Sequence, residues 1–470
     1  MRKFGWLLAL LLSLQMSAQK VVRFSTIDQF SEEFTTLVKL PKERKALFVD
    51  SLLPDVVYAI DVDSEKDWIV LCNSMLRKRI TDPDAWEELF RITAYINNNE
   101  EYGTLLKVVD HLNGYIRSNP SSRTKDYLGQ LYSNIVKHRF YDKNDLIWKA
   151  PYSDWSMQFD QKELYFIIGE GDVIGRFRED STIVMGTSGR FFPRTGTLEA
   201  NGGTVFWGRV GKYEDELYGD LSNWTLDTRQ GYFKADSATL NAPELYDEPL
   251  KGLFEERLSA RAQRSAQYPR FASYKNDFLL PNVYNEVHFR GGLGVVGPNY
   301  YGLSPDSAMA KVQFTYNNDT IITLRSGRFL FRDSLLSSGR VEVTAHLGED
   351  SLYHPYCEMR FDPRSGQVRI IRYKTGLGLS SWTDSYHSMD MNVDQLIWNQ
   401  GTPKLSLRNL NLGSQQAAVF ESKQYFRIAR MEQIAGLQRT HPLIELKNAA
   451  YGYGYENMPL RELTYALRMD

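Results

Sequence analysis

The chain is poor in cysteine, with only Cys72 and Cys357 in 470 residues. Two thiols cannot build a zinc cluster by themselves, and the length excludes a disulfide-stapled miniprotein. It has no basic surplus: 56 basic side chains stand against 58 acidic ones, a net charge of -2. Nothing is left over to neutralise a run of phosphates, which argues against a nucleic-acid partner. After the first eighteen residues no apolar run is long enough for a membrane helix. Glycine is almost absent from residues 20 to 168, where Gly103, Gly114 and Gly129 stand alone. What is present is apolar and aromatic material, 42% and 13% of the chain. That excludes a disordered chain and fills one large core or two ordinary ones.

The N-terminus reads as an address. Arg2 and Lys3 precede an apolar stretch from Phe4 to Leu14, followed by Gln15-Met16-Ser17-Ala18. This is the pattern of a secretory signal peptide over residues 1–18, with cleavage after Ala18. A buried N-terminal helix is the alternative. No cysteine sits at the cut, so a lipid-anchored start is not indicated. Without Arg2 and Lys3 the mature chain has 54 basic against 58 acidic side chains, a net charge of -4. The expected location is outside the cytoplasm, periplasmic or outer-membrane associated. The two cysteines then enter an oxidising compartment, where two separately buried thiols are expected rather than a bridge.

Glycine usage divides the chain, because residues 169 to 470 hold twenty-nine glycines. Glycine is costly in helices and frequent in turns, so the shift marks a change of structural class. In the first part Trp86, Leu89, Phe90, Ile92, Tyr95 and Ile96 recur at helical spacing behind Asp82-Pro83, a capping acid and an N1 proline. Ser31-Glu32-Glu33 reads as another helix start. From about Trp155 the period changes to two, as in Val341, Val343, Ala345 and Leu347. Only Pro249–Ala266 interrupts it with a helical pattern. The expected fold class is α+β in separate domains. A helical bundle or repeat over 19–150 precedes a mostly antiparallel all-β region over 151–470, an elongated sheet or jellyroll-like stack.

The β-rich part echoes itself. Ile183 to Phe192 is matched by Ile321 to Leu330, with a shared Ser-Gly-Arg-Phe and a matching pair Arg194 and Arg332. A weaker third copy starts at Glu421. Such units read as strand-turn-strand rungs stacked along a sheet.

Candidate chemistry is sparse. Gly169-Glu170-Gly171 has the wrong spacing for a dinucleotide loop and reads as a turn between strands, and Gly291-Gly292, an equally weak signal, reads as a bulge or a wide loop. No cofactor and no metal site is called for. His354 and Cys357 lack partner ligands, and Asp384 with His387 lacks a nucleophile turn. No catalytic residue emerges. Trp207, Trp224, Trp382 and Trp398 are the candidate binding residues: exposed, they would stack on sugars, and turned inward they would line an apolar trough or an ordinary core. Asp followed by Ser or Thr and then an apolar residue or threonine recurs, giving Ser51, Ser181, Ser237, Ser307, Thr320, Ser334 and Ser351 as candidate O-glycosylation acceptors. The same pattern is also ordinary turn chemistry before a strand.

The stretch from Ser188-Gly189-Arg190-Phe191 to Asn201-Gly202-Gly203-Thr204-Val205-Phe206-Trp207 is similar to units of a large, uncharacterised family of exported bacterial envelope proteins. Tyr268 to Tyr274 and Ser351 to Pro355 resemble it too, and the likeness covers most of residues 150 to 440. It implies a helical N-terminal region joined to a long β-rich one. The rungs also distantly resemble the β-jellyroll proteins that carry lipopolysaccharide across the periplasm. The resemblance supplies no catalytic residue. The functional expectation is a non-enzymatic envelope protein, a scaffold or lipid carrier, with a protein partner at its helical domain. A carbohydrate-binding or glycan-processing surface protein is the alternative, so lipid and envelope glycan are the candidate ligands.

Overall fold

The computed structural model describes residues 23–100, 102–160, 163–259, 266–304, 309–410, 418–423 and 442–453. The signal-peptide stretch, Ser307 and the end of the third echo lie outside the described residues. Among the described residues seven α-helices come before the strands: α1 (Ile27–Leu37), α2 (Lys42–Leu47), α3 (Leu53–Ala59), α4 (Val62–Arg77), α5 (Pro83–Asn99), α6 (Thr104–Ser118) and α7 (Ser121–Ile135), with a π-helical turn at Phe48–Leu52 between α2 and α3. Strands follow from Arg139, and every described pairing is antiparallel. The chain forms two compact units. The first takes residues up to Asn276 together with Gly292–Tyr301, and the second takes Asp277–Gly291 and Gly302 onward.

The helices close around an aromatic cluster. The Phe30 ring lies 4.7 Å from Trp68, and that of Phe34 lies 5.3 Å from Trp86 and 5.1 Å from Phe90. Phe30 and Phe34, one turn apart, both need that cluster. This is why α1 starts at Ile27, ahead of Ser31-Glu32-Glu33. Asp82 caps α5 as expected, accepting from the Asp84 amide at 3.2 Å.

The strands of the first unit are β1 (Arg139–Lys143), β2 (Leu146–Lys149), β3 (Trp155–Asp160), β4 (Glu163–Phe177), β5 (Asp180–Phe192), β6 (Thr197–Asn201), β7 (Thr204–Phe206), β8 (Tyr218–Leu221), β9 (Asn223–Asp227), β10 (Tyr232–Ala242), β11 (Tyr246–Arg257) and β12 (Arg270–Ser273). The long ones bend. The first half of β4 pairs with β3 and its second half with β2. The halves of β5 pair with β7 and β6, and those of β10 with β9 and β8. Two half-sheets result, joined through the bends of the long strands. The glycines at 169 and 171 form no turn between strands. They sit in the bend of β4, where its register with β5 shifts. Pro249–Arg257 is not helical either: it lies in β11, whose Leu250, Gly252, Phe254 and Glu256 alternate inward.

The first edge of this sheet is covered by a helix. Asn134 of α7 donates to the Arg139 carbonyl of β1 at 2.6 Å, and Gln130 donates to that of Phe140. An edge strand's free carbonyls are thus satisfied by side chains of the preceding helix.

In the second unit the strands are β13 (Phe278–Tyr284), β14 (Val287–Val296, shared with the first unit), β15 (Asn299–Leu303, also shared), β16 (Ala310–Tyr316), β17 (Asp319–Ser326), β18 (Arg328–Arg332), β19 (Leu335–Leu347), β20 (Asp350–Asp362), β21 (Gln367–Arg372), β22 (Trp382–Asp384), β23 (Met389–Asn392), β24 (Gln395–Asn399), β25 (Leu405–Arg408) and β26 (Val419–Ser422). The halving recurs. β17 and β18 pair with the two parts of β19, while β20 divides between β22 and β21. A further helix, α8, spans Pro442–Tyr453.

The echo has a structural counterpart. Both copies are the second strand of a hairpin, bent at a buried hydroxyl that ties down the next strand's bend. Thr187 donates to the Gly202 carbonyl at 2.9 Å, and Ser326 to that of Arg340 at 2.6 Å. In sequence Ser188 aligns with Ser326, yet Thr187 does the bonding, because the first copy runs through the bend one residue out of step. The shared glycines differ as well. A Cβ on Gly189 would lie 2.3 Å from the Glu199 carbonyl oxygen, whereas one on Gly327 would meet nothing within 4 Å. Gly189→Ala should lower stability by about 1–3 kcal/mol, and Gly327→Ala should leave it nearly unchanged. Urea unfolding of both variants checks this.

Candidate functional site

The four tryptophans are buried. Trp207 follows β7 and stands edge-on to Phe254 at 5.7 Å. Trp224 lies 4.6 Å from Phe233 and donates to the Gly202 carbonyl at 3.0 Å. Trp382 packs 5.0 Å from His354, and Trp398 packs 6.0 Å from Phe314. Their exposure is between 0% and 3%, so no indole face is open for a sugar to stack on. Trp207 and Trp224 belong to the first unit, Trp382 and Trp398 to the second. They form no common site.

His354 and Cys357 do meet, inside the second unit. The His354 Nε2–H donates to the Ser380 carbonyl at 2.9 Å, which leaves Nδ1 as an acceptor. It takes the Tyr356 amide at 3.0 Å and the Cys357 thiol at 3.2 Å. Burial pushes the thiol up to about 12 and the imidazole below its ordinary value. A neutral thiol without solvent access is a structural group rather than a nucleophile. Cys72 is likewise free and buried.

Asp384 orients His387. Its Oδ2 accepts from Nδ1 at 2.7 Å, and its Oδ1 takes the Tyr386 amide at 2.9 Å. Ser385 is engaged elsewhere, donating to Asp350 at 2.8 Å. The pair is thus an oriented imidazole, with no serine bonded to it among the described residues. Among the described residues no three His, Cys, Asp or Glu side chains converge as metal ligands.

Of the candidate acceptor hydroxyls, Ser51, Ser181, Ser237 and Ser334 are exposed, while Thr320 and Ser351 are half-buried. Asp180, Asp319 and Asp350 each open a strand, which is the turn role of the same pattern.

The strongest polar constellation was not legible as a motif. It lies in the first unit, where the half-sheets meet. Arg209, just past β7, grips both carboxylate oxygens of Asp180 at 2.8 and 2.7 Å. Its other terminal nitrogen reaches Glu256 at 2.6 Å. Glu256 also accepts from Thr182 at 3.2 Å and from the Arg257 amide at 2.7 Å. Asp180, Thr182 and Arg209 belong to one half-sheet, and Glu256 to the other. The cluster is therefore a clasp across the interior. Glu256 is 1% exposed, and burial outweighs Arg209 to push its carboxyl up to about 7.

An open groove of about 870 Å³ runs over the outer face of one half-sheet. Register aligns Arg190, Glu199, Thr225 and Lys234 across it, a row of mixed charge. No family model, curated protein or solved structure matches the chain.

The clasp gives two expectations. Arg209→Met leaves the buried Glu256 and the half-buried Asp180 without their cation and should cost about 3–5 kcal/mol in urea unfolding at neutral pH. The folded carboxyl of Glu256 titrates above the ordinary 4.5, so the folded state holds the proton more tightly than the unfolded one. The stability this contributes is complete below about 4.5 and is lost as pH rises through about 7. Thermal unfolding across that window should show wild type losing stability relative to Glu256→Gln. Comparing the two proteins removes Glu88, whose carboxyl burial and Asp84 also push up to about 7.

Proposed function

We propose that the chain is a non-enzymatic exported cell-envelope protein in which the bent β units act as a scaffold rather than as a lipid trough. The observation that carries this reading is the filled interior. Trp207, Trp382 and Trp398 are each 0% exposed, and in the first unit Trp224, Phe233 and Phe254 pack ring against ring, tilted, at 4.6 and 5.9 Å. An acyl chain would need space that these side chains take up. The clasp works in the same direction, because it ties one half-sheet to the other over that interior. The N-terminal residues support export, to the periplasm or the outer membrane. Among the described residues no helix is long and apolar enough to cross a membrane. Exposed Ser51, Ser181, Ser237 and Ser334 support O-glycosylation of the exported chain.

The helical region supports a scaffold in a second way. By covering the β1 edge it prevents unplanned strand addition there, and its outer faces stay available to a protein partner.

The test is lipid extraction with native mass spectrometry on residues 19–470 purified from a periplasm. The scaffold reading predicts the bare protein mass. A stoichiometric acyl-chain adduct would overturn it in favour of the carrier.

A further inference from the structure

At one end of the first unit three chain segments converge. They are the β1–β2 turn, the β9–β10 turn and the end of β11. Leu258 donates its amide to the Gly231 carbonyl at 2.7 Å, and Trp148 donates its indole N–H to that of Gln230 at 3.1 Å. Between these segments lies an open pocket of about 640 Å³. Leu146 and Leu258, both buried, contribute apolar surface. Tyr141, Phe177 and Tyr232 line it half-buried, while Lys143, Arg229 and Arg257 line it exposed.

The charge is one-sided. Among the described residues three cations line the pocket and no carboxylate does, in a chain whose net charge is -2. The nearby acids are engaged around it. Asp126 lies 3.5 Å from Lys143, Asp145 lies 3.5 Å from Arg178, and Glu255 accepts from the Tyr232 hydroxyl at 3.2 Å. The Lys143 pair is exposed on both sides and so weakly held. Arg257 is placed by the clasp. Its amide donates to Glu256 and its carbonyl accepts from Arg209 at 3.1 Å, which pins its backbone. Its guanidinium has no carboxylate within ion-pair distance among the described residues.

We propose that this pocket binds an acidic saccharide. Half-buried aromatic rings suit the apolar C–H face of a sugar ring, and a guanidinium fork suits a carboxylate or phosphate on it. The volume lies within the usual range for small-ligand sites. A bare anion would leave the aromatic wall unused, and a neutral sugar would leave the Arg257 guanidinium without an ionic partner, while Lys143 keeps Asp126 and Arg229 donates to the Arg194 carbonyl at 3.1 Å. The proposal does not depend on the scaffold reading, since it rests on the lining of an open pocket.

Isothermal titration of residues 19–470 with a galacturonic acid trisaccharide, at low and at physiological salt, tests it. Neutral galactotriose and inorganic phosphate are the comparison probes. The acidic trisaccharide should bind, more weakly at the higher salt. Galactotriose should bind at least about tenfold more weakly, and phosphate at equal concentration should not displace the acidic sugar. Arg257→Gln and Arg229→Gln should each weaken binding by about tenfold or more at an unchanged thermal midpoint. Lys143→Gln, at an exposed strand end, is the variant to read if either arginine change unfolds the chain. No heat with the acidic trisaccharide, equal binding of the neutral one, or wild-type affinity in the folded variants would overturn the proposal. Displacement by phosphate would overturn it too, reducing the pocket to a simple anion site.

Discussion

Five long strands of this protein, β4, β5, β10, β19 and β20, bend, and the two halves of each pair with different neighbours. The rest follows from that constraint. A bent antiparallel strand carries its inward side chains onto two facing half-sheets, which have each other to bury against. In β4 these are Leu164, Phe166 and Ile168 before the bend and Val173 after it. Core aromatics such as Trp207 and Phe254 then meet across the fold rather than along one strand. In the first unit the hydrophobic gain and the bend are one feature.

Bends and edges expose backbone groups, and polar side chains answer that need. Thr187 and Ser326 bond the carbonyls of neighbouring bends, while Asn134 and Gln130 bond those of the first edge. These residues are poor choices for a core or a plain helix face. They sit where they do because an unpaired buried carbonyl costs more than a buried hydroxyl or amide that is bonded. The clasp of Arg209, Asp180 and Glu256 extends the principle to charge. It joins the half-sheets with ionic groups that burial would otherwise penalise, and it fixes the backbone from which Arg257 faces solvent.

Much of the architecture was legible along the chain. The scarcity of glycine before residue 169 and the 3.6-residue spacing of Trp86, Leu89, Phe90 and Ile96 foretold helices, and the alternation around Val341 foretold strands. These are local signals, set by which face of one element is buried. The misreadings were local ambiguities that tertiary packing settled. The start of α1 moved to Ile27 because Phe30 and Phe34 share one cluster. Pro249–Arg257 became strand because its alternate residues face inward beside β10. The glycines at 169 and 171 became a bend because β4 continues through them.

The sequence by itself determined the order of structural classes, helices and then antiparallel strands, because periodicity and glycine usage are written residue by residue. Tertiary structure decided which polar residues act together. Glu256 lies 47 residues from Arg209 and 74 from Thr182, and no spacing rule connects them. The same holds for Lys143, Arg229 and Arg257 around one pocket. Only the register of bent strands brings such groups within reach, and that register is set by burial across the whole unit.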